Sequence, residues 1–368
     1  MSDQAGIWMR SPLYDCFWMG FSAWIPIALY LPLYYALGSS WTFPLYLSYF
    51  VIFGLPHVFM TWALAATPTG RTQYEPDSLG MPVFWALVFA TPYLWTADSP
   101  SHLALFQTFV AYFGFYHVLK QHMGFHHIYW SRYGQLAGRA AADAIYRPLH
   151  HLLVAGSLGI YFGRMNGDRI HIQFGTDFFD QWYPEGIHLV GWGLLAYASL
   201  ALTWAVVRVW RGWCVGLSVP WPSFSLVFNV LACFAISMFA VKTEDLLLAM
   251  AIFTSYHNLQ YWGFVWHYYQ SRCHYELAQD ESFKLDALAR LVASGQWKAF
   301  MGVAYAYTFA FALVLLALPP VLQNFISYLH QILHYTIDGR IWKRRYNPSL
   351  PRALGAFVRR GTPAAINH

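Results

Sequence analysis

The sequence predicts an all-α fold, a polytopic integral membrane helical bundle of about ten transmembrane segments with both termini cytoplasmic. Three observations predict it. Of 368 residues, 58% are hydrophobic and only 11% are charged; soluble domains carry about 25% charged residues, so this chain lacks the polar residues to cover a water-facing surface. Apolar runs near the roughly 20 residues that a helix needs to cross hydrocarbon recur along the chain. The basic residues gather at one set of run ends, which orients the bundle.

Ten segments follow in order, at roughly 14–37, 41–66, 81–97, 101–123, 148–163, 187–210, 222–241, 245–269, 297–318 and 321–340. The first is too long for the apolar region of a cleavable signal and has no small-residue cleavage site, so it is expected to stay as a span. Pro319-Pro320 separates the last two, because proline lacks an N–H and clashes with the preceding turn. The tenth is therefore expected as a tight return through the membrane or as a helix in the interface. With the N-terminus inside, every one of the 22 lysines and arginines except Arg164, Arg169 and Lys242 falls on the inner side. A multi-pass protein of a bacterial inner membrane is the expected location.

Residues 1–346 read as a single transmembrane domain with cytoplasmic loops 124–147 and 270–296, and 347–368 as a flexible cytoplasmic tail. Within the second loop, Leu285, Leu288, Leu291 and Val292 have helical spacing and predict an amphipathic surface helix. The outer loop 164–186 is acidic and aromatic and reads as an ordered cap. Cys16, Cys214, Cys233 and Cys273 are scattered without a CxxC pair, which suggests neither a disulfide framework nor a thiolate metal site. The net charge of +5 comes without the polar surface that nucleic-acid binding needs. Membrane lipids are the expected neighbours of these basic residues, and no nucleic-acid partner is expected.

Twelve of the sixteen histidines fall in the cytoplasmic half of this arrangement. They are His57, His117, His122, His126, His127, His150, His151, His257, His267, His274, His330 and His334. Imidazoles are uncommon in hydrocarbon and usually functional there. Imidazole suits iron, zinc and copper, and neutral ligands hold a metal without burying many carboxylates. His122 and His126 are four apart and share a helix face; His330, His334 and Asp338 fall on one stripe. Pro56 loosens the second segment next to His57. The metal-ligand candidates are His57, His117, His122, His126, His257, His267, His330 and His334. Eight imidazoles suit a dinuclear site and about four a mononuclear one. Asp338 and Tyr261 are the candidate catalytic residues. Asp338 reads as a ligand, as an acceptor for a ligand's second nitrogen, or as a partner of Arg340 and Lys343. Tyr261 reads equally as a supporting donor and as packing. Asn258, Gln260, Gln121 and Gln331 are further supporting candidates. His274 reads as interfacial, while His127, His150 and His151 divide evenly between that role and ligation.

The run His122-Met-Gly-Phe-His126-His127 has the form HxxxHH, His117 to His122 the form HxxxxH, and His330-Gln-Ile-Leu-His334 the form HxxxH. They resemble the histidine boxes of membrane fatty-acid desaturases and hydroxylases, which are di-iron enzymes with cytoplasmic boxes. Here the boxes overlap, and a final HxxHH is absent. Gly54-Leu55-Pro56-His57 resembles the GxPH element of Brp/Blh-type β-carotene oxygenases, in which histidines from several spans hold iron; here Val58-Phe59-Met60 follows it. Both resemblances imply one or two non-haem irons acting with dioxygen on a lipophilic substrate. The expected function is therefore an integral membrane oxidoreductase (oxygenase, hydroxylase or desaturase), with an electron-donor protein as an expected partner. Haem b in an electron-transfer protein is the first alternative; it would occupy two imidazoles and leave the others unexplained. A metal transporter or non-catalytic subunit is the second, but the outer half lacks the titratable residues of a through-path.

Overall fold

A computed structural model of the chain describes residues 7–66, 80–96, 100–165, 169–174, 177–279 and 285–342. The expected tail, 347–368, lies outside the described residues. Each of the ten expected segments is helical. In chain order they are α1 (Pro12–Leu37), α2 (Ser39–Ala65), α3 (Gly80–Thr96), α4 (Pro100–Ala137), α5 (Arg139–Arg164), α6 (Ile187–Cys214), α7 (Trp221–Ala240) and α8 (Leu246–Gln279), then the short α9 (Ala287–Ala293), α10 (Trp297–Leu316) and α11 (Pro320–Ile341). Five of them, α1, α2, α6, α7 and α10, are long and apolar enough to cross a membrane. The long helices α4, α8 and α11 miss that apolarity because they carry histidines and other polar residues inward. Helix α8 is buried almost all round its inner turns, from Leu246 to Tyr269, so it is the axis about which the others pack. By contrast α6 turns Leu189, Trp192, Leu200 and Val206 outward, an apolar exterior that water would not tolerate on this scale.

Three findings refine the sequence reading. The stretch 124–147, expected as a loop, is helical: α4 runs on to Ala137 and α5 starts at Arg139. No proline interrupts the chain between Pro100 and Pro148, and the alanine-rich run favours helix. The only break is Gly138, whose φ of +88° suits glycine alone. Within 164–186 lies a two-stranded antiparallel hairpin, β1 (Arg169–Phe174) with β2 (Asp177–Trp182), registered Arg169 opposite Trp182. The spacing Ile170, Ile172, Phe174 has the period of two that a strand requires. Helix α11 is a full member of the bundle, packed on α2, α3 and α4. The amphipathic helix expected near Leu288 is α9, capped by the Asp286 carboxylate, which accepts from the Ala289 N–H at 2.9 Å.

Helices α5 and α6 approach closely through small residues, the usual solution where packing must replace the hydrophobic effect. A Cβ added at Gly191 would collide with the backbone nitrogen of Gly163. At Gly193, two residues on, an added Cβ meets nothing within 4 Å. Gly191→Val is expected to cost about 3 kcal/mol or more by forcing the helices apart, and Gly193→Val to be close to neutral. Thermal unfolding of the detergent-solubilised variants checks this; equal midpoints would refute the close approach.

Candidate metal centre

Four helices each bring a histidine to one point, and each carries a polar side chain four residues later. The pairs are His57 and Thr61 on α2, His117 and Gln121 on α4, His257 and Tyr261 on α8, and His334 and Asp338 on α11. Four residues advance a helix by about 6 Å with nearly one full turn. The result is two layers, with imidazoles in the first and hydroxyl, amide or carboxylate groups in the second. Local sequence tunes the first of these helices. A π-helical turn, Phe50–Gly54, precedes His57, and such turns reset the direction of the side chains that follow. Pro56 has no N–H to offer the Ile52 carbonyl, and the Tyr305 hydroxyl donates to that carbonyl at 3.2 Å.

The imidazole layer is a closed ring. Ring centroids lie 4.5 Å apart for His57 and His334, 5.1 Å for His334 and His117, 5.2 Å for His117 and His257, and 4.9 Å for His257 and His57. The Nε2 atoms of His57 and His334 are 2.8 Å apart. All but His117 are fully buried.

The second layer assigns the protons. Asp338 Oδ1 accepts from the Tyr261 hydroxyl at 2.6 Å and from Thr61 Oγ1 at 2.8 Å. A threonine hydroxyl has one proton, and Thr61 gives it to Asp338. With Asp338 as the carboxylate, Thr61 Oγ1 accepts from His334 Nδ1–H, 2.8 Å away. That fixes the His334 tautomer, with the Nε2 lone pair directed into the ring. Such a bond to the second nitrogen is the arrangement that orients metal-bound histidines.

Several buried atoms of the site have no hydrogen-bond partner, among them Asp338 Oδ2, His117 Nε2, His57 Nδ1 and His257 Nδ1. Asp338 Oδ2 and His117 Nε2 face one another. They are 3.8 Å apart, and Asp338 Oδ2 is 3.7 Å from His334 Nε2. These distances exceed a hydrogen bond. They are, however, near the separations of about 3.0–3.4 Å that nitrogen and oxygen ligands 2.0–2.2 Å from one ion adopt. Ligand atoms of His57, His117, His334 and Asp338 all lie within 4.8 Å of one another. Three imidazoles and one carboxylate suit a divalent first-row metal, and the two-histidine, one-carboxylate core within them is the donor set that non-haem iron uses. These residues therefore fit an ion. The centre opens on a cavity of about 860 Å³ lined by His117, Tyr261 and Asp338 and by apolar side chains including Phe113, Phe264, Tyr335 and Trp342.

Of the eight histidines singled out from sequence, His57, His117, His257 and His334 form the ring, and Asp338 and Tyr261 adjoin it. His122 is buried beside His257, with ring centroids 6.1 Å apart, and packs on Phe253 and Tyr256. The other three do not join. His126 Nε2 donates to the Tyr146 carbonyl at 3.2 Å. His267 neighbours Ser271 and Tyr14, and His330 bonds the Tyr307 hydroxyl at 2.7 Å and stacks on Phe311. Gln260 serves α1 instead, donating to the Met19 carbonyl at 3.0 Å, while Gln121 donates to the His257 carbonyl at 3.2 Å. Thr61 was missed by sequence reasoning, although its position one turn after His57 is the signal that finds it. Comparison with protein-family models, with curated proteins and with solved structures finds no match for this chain.

Proposed function

We propose that this chain is an integral membrane oxidoreductase that holds non-haem iron on His57, His117, His334 and Asp338 and acts on a lipophilic substrate. In this reading the ten helices are spans, and the one-sided basic residues put both termini in the cytoplasm. One observation carries the proposal: a buried imidazole ring with a partnerless carboxylate oxygen, Asp338 Oδ2, at the end of an apolar cavity. A buried acceptor lacking a partner costs about 1–3 kcal/mol or more, and a cation held between Asp338 and the imidazoles would relieve that cost. Iron bound there supplies dioxygen activation. The chain's own residues do the rest. Thr61 and Tyr261 hold Asp338 in place by donating to its Oδ1, and the apolar lining limits water at the centre. A cytoplasmic electron-donor protein completes the cycle.

The geometry favours this reading over haem b. Axial ligands on opposite faces of a haem keep their nitrogens about 4 Å apart, twice a metal–nitrogen bond of about 2.0 Å. The Nε2 atoms of His57 and His334 are 2.8 Å apart, a hydrogen-bond distance that is too short for ligands on opposite faces of one haem. The test is turnover by the iron-loaded protein in nanodiscs, with a reductant, ¹⁸O₂ and a total lipid extract. The expected result is iron-dependent dioxygen uptake with an oxygenated or desaturated lipid product, abolished in His334→Ala. Uptake that is absent, or unchanged in that variant, overturns the proposal.

A further inference from the structure

The cavity continues past the metal centre in a form that identifies its occupant. Its lining on α4 runs from Phe113 to Ser131, about 27 Å of helix at 1.5 Å per residue. Half the hydrocarbon core of a bilayer is about 15 Å, so one lipid chain fits with length left for a headgroup. The volume of about 860 Å³ lies within the range of single-ligand sites, about 300–1,000 Å³.

Lys120, His127, Arg147, His150 and His151 line the part of the cavity formed by α4 and α5. The acidic residue there, Asp143, is already engaged. It accepts from Trp130 Nε1 at 2.9 Å and lies 3.6 Å from Arg147 Nη2. Among the described residues no carboxylate pairs with Lys120, whose ammonium lies 5.6 Å from the Tyr116 ring centroid. Lys120 follows His117 by one turn, so its charge sits close to the level of the centre. A lysine at such a depth needs an anionic partner or a route to the headgroup layer.

We propose that this cavity binds a single-chain lipid with an anionic headgroup, the headgroup seated on Lys120, Arg147 and His150 and the chain lying along α4 beside His117 and Tyr335. This deepens the reading of the centre as an oxidoreductase site and rests on it for the fate of the lipid, though not for its binding. The headgroup fixes the chain so that one stretch of it passes Asp338 and His117. The shared chemistry is an anion on one chain, and a free carboxylate and a phosphate monoester both meet it.

The test is equilibrium binding to the full-length protein in phosphatidylcholine nanodiscs, using oleate against oleyl alcohol and lysophosphatidate against monoolein. At least one anionic lipid is expected to bind about tenfold more tightly than its neutral counterpart, from two partly exposed charge pairs. The member of the two that shows the larger preference assigns carboxylate or phosphate. Lys120→Gln/Arg147→Gln is expected to erase the preference without weakening binding of the neutral lipids. His334→Ala is expected to keep it, so loss of metal and loss of headgroup recognition fail separately. Equal binding of both charged lipids and their neutral analogues, or a preference that survives in Lys120→Gln/Arg147→Gln, overturns the proposal.

Discussion

His334→Ala is expected to leave the purified protein without its metal, whereas His330→Ala, one turn away on the same helix, keeps a full complement. His334 is the hinge of the centre: its Nε2 lies 2.8 Å from His57 Nε2 and 3.7 Å from Asp338 Oδ2, and its Nδ1 bonds Thr61. Removing it deletes a ligand and frees Thr61 at the same time. Loss of a supporting residue alone costs about 10–100-fold in metal affinity, so loss of a ligand should cost more. Metal content under about a tenth of the wild-type value is the expected reading by plasma mass spectrometry. His330 meets Tyr307 and Phe311 instead, and its removal leaves all four proposed ligands in place. Equal metal content in the two variants would contradict the assignment.

Thr61→Val is the second variant with a large expected effect. Valine keeps the shape of threonine and removes only its hydroxyl. Asp338 Oδ1 loses one of its two donors, and His334 Nδ1–H loses its acceptor. Each newly partnerless buried group costs about 1–3 kcal/mol, and the freed imidazole no longer has a fixed tautomer. Metal affinity is expected to fall about 10–100-fold, read by competition with a chelator of known affinity. Thr61→Ser restores the hydroxyl and is expected to restore binding. Tyr261→Phe, which removes one donor from Asp338 and nothing from His334, should fall between the two. Wild-type affinity in Thr61→Val would show that the hydroxyl does not orient the ligand.

Much of this site is legible from spacing along single helices, and the rest turns on rotation about them and displacement along them. Counting residues from the span ends puts His57, His117, His257 and His334 in the cytoplasmic half, together with eight other histidines. His126 is four residues from His122 and shares its helix face, which groups it with the ligand candidates. It lies nine residues from His117, and at 100° per residue that is half a turn, so it faces α5. His267 shares the helix of His257 but sits ten residues on, about 15 Å along the axis. His330 shares the face of His334 and is displaced by about 6 Å, far enough to meet α10 instead. Which face and which level of each helix meets the centre is set only by the neighbouring helices. The helical run 124–137 is hidden for a different reason: with two glycines, two histidines and Ser131, neither apolarity nor helix propensity marks it, and packing in the bundle sets it. Thr61 escaped notice because a hydroxyl in an apolar helix usually bonds its own backbone.

X-ray absorption at the metal edge of the purified full-length protein tests the central claim most directly. The expected spectrum has nitrogen and oxygen ligands at about 2.0–2.2 Å and the outer-shell scattering of three or four imidazoles. It contains no sulfur, since the site brings together His57, His117, His334 and Asp338 without a cysteine. Sulfur at about 2.3 Å, a porphyrin signature, or a spectrum unchanged in His57→Ala and His334→Ala would contradict it.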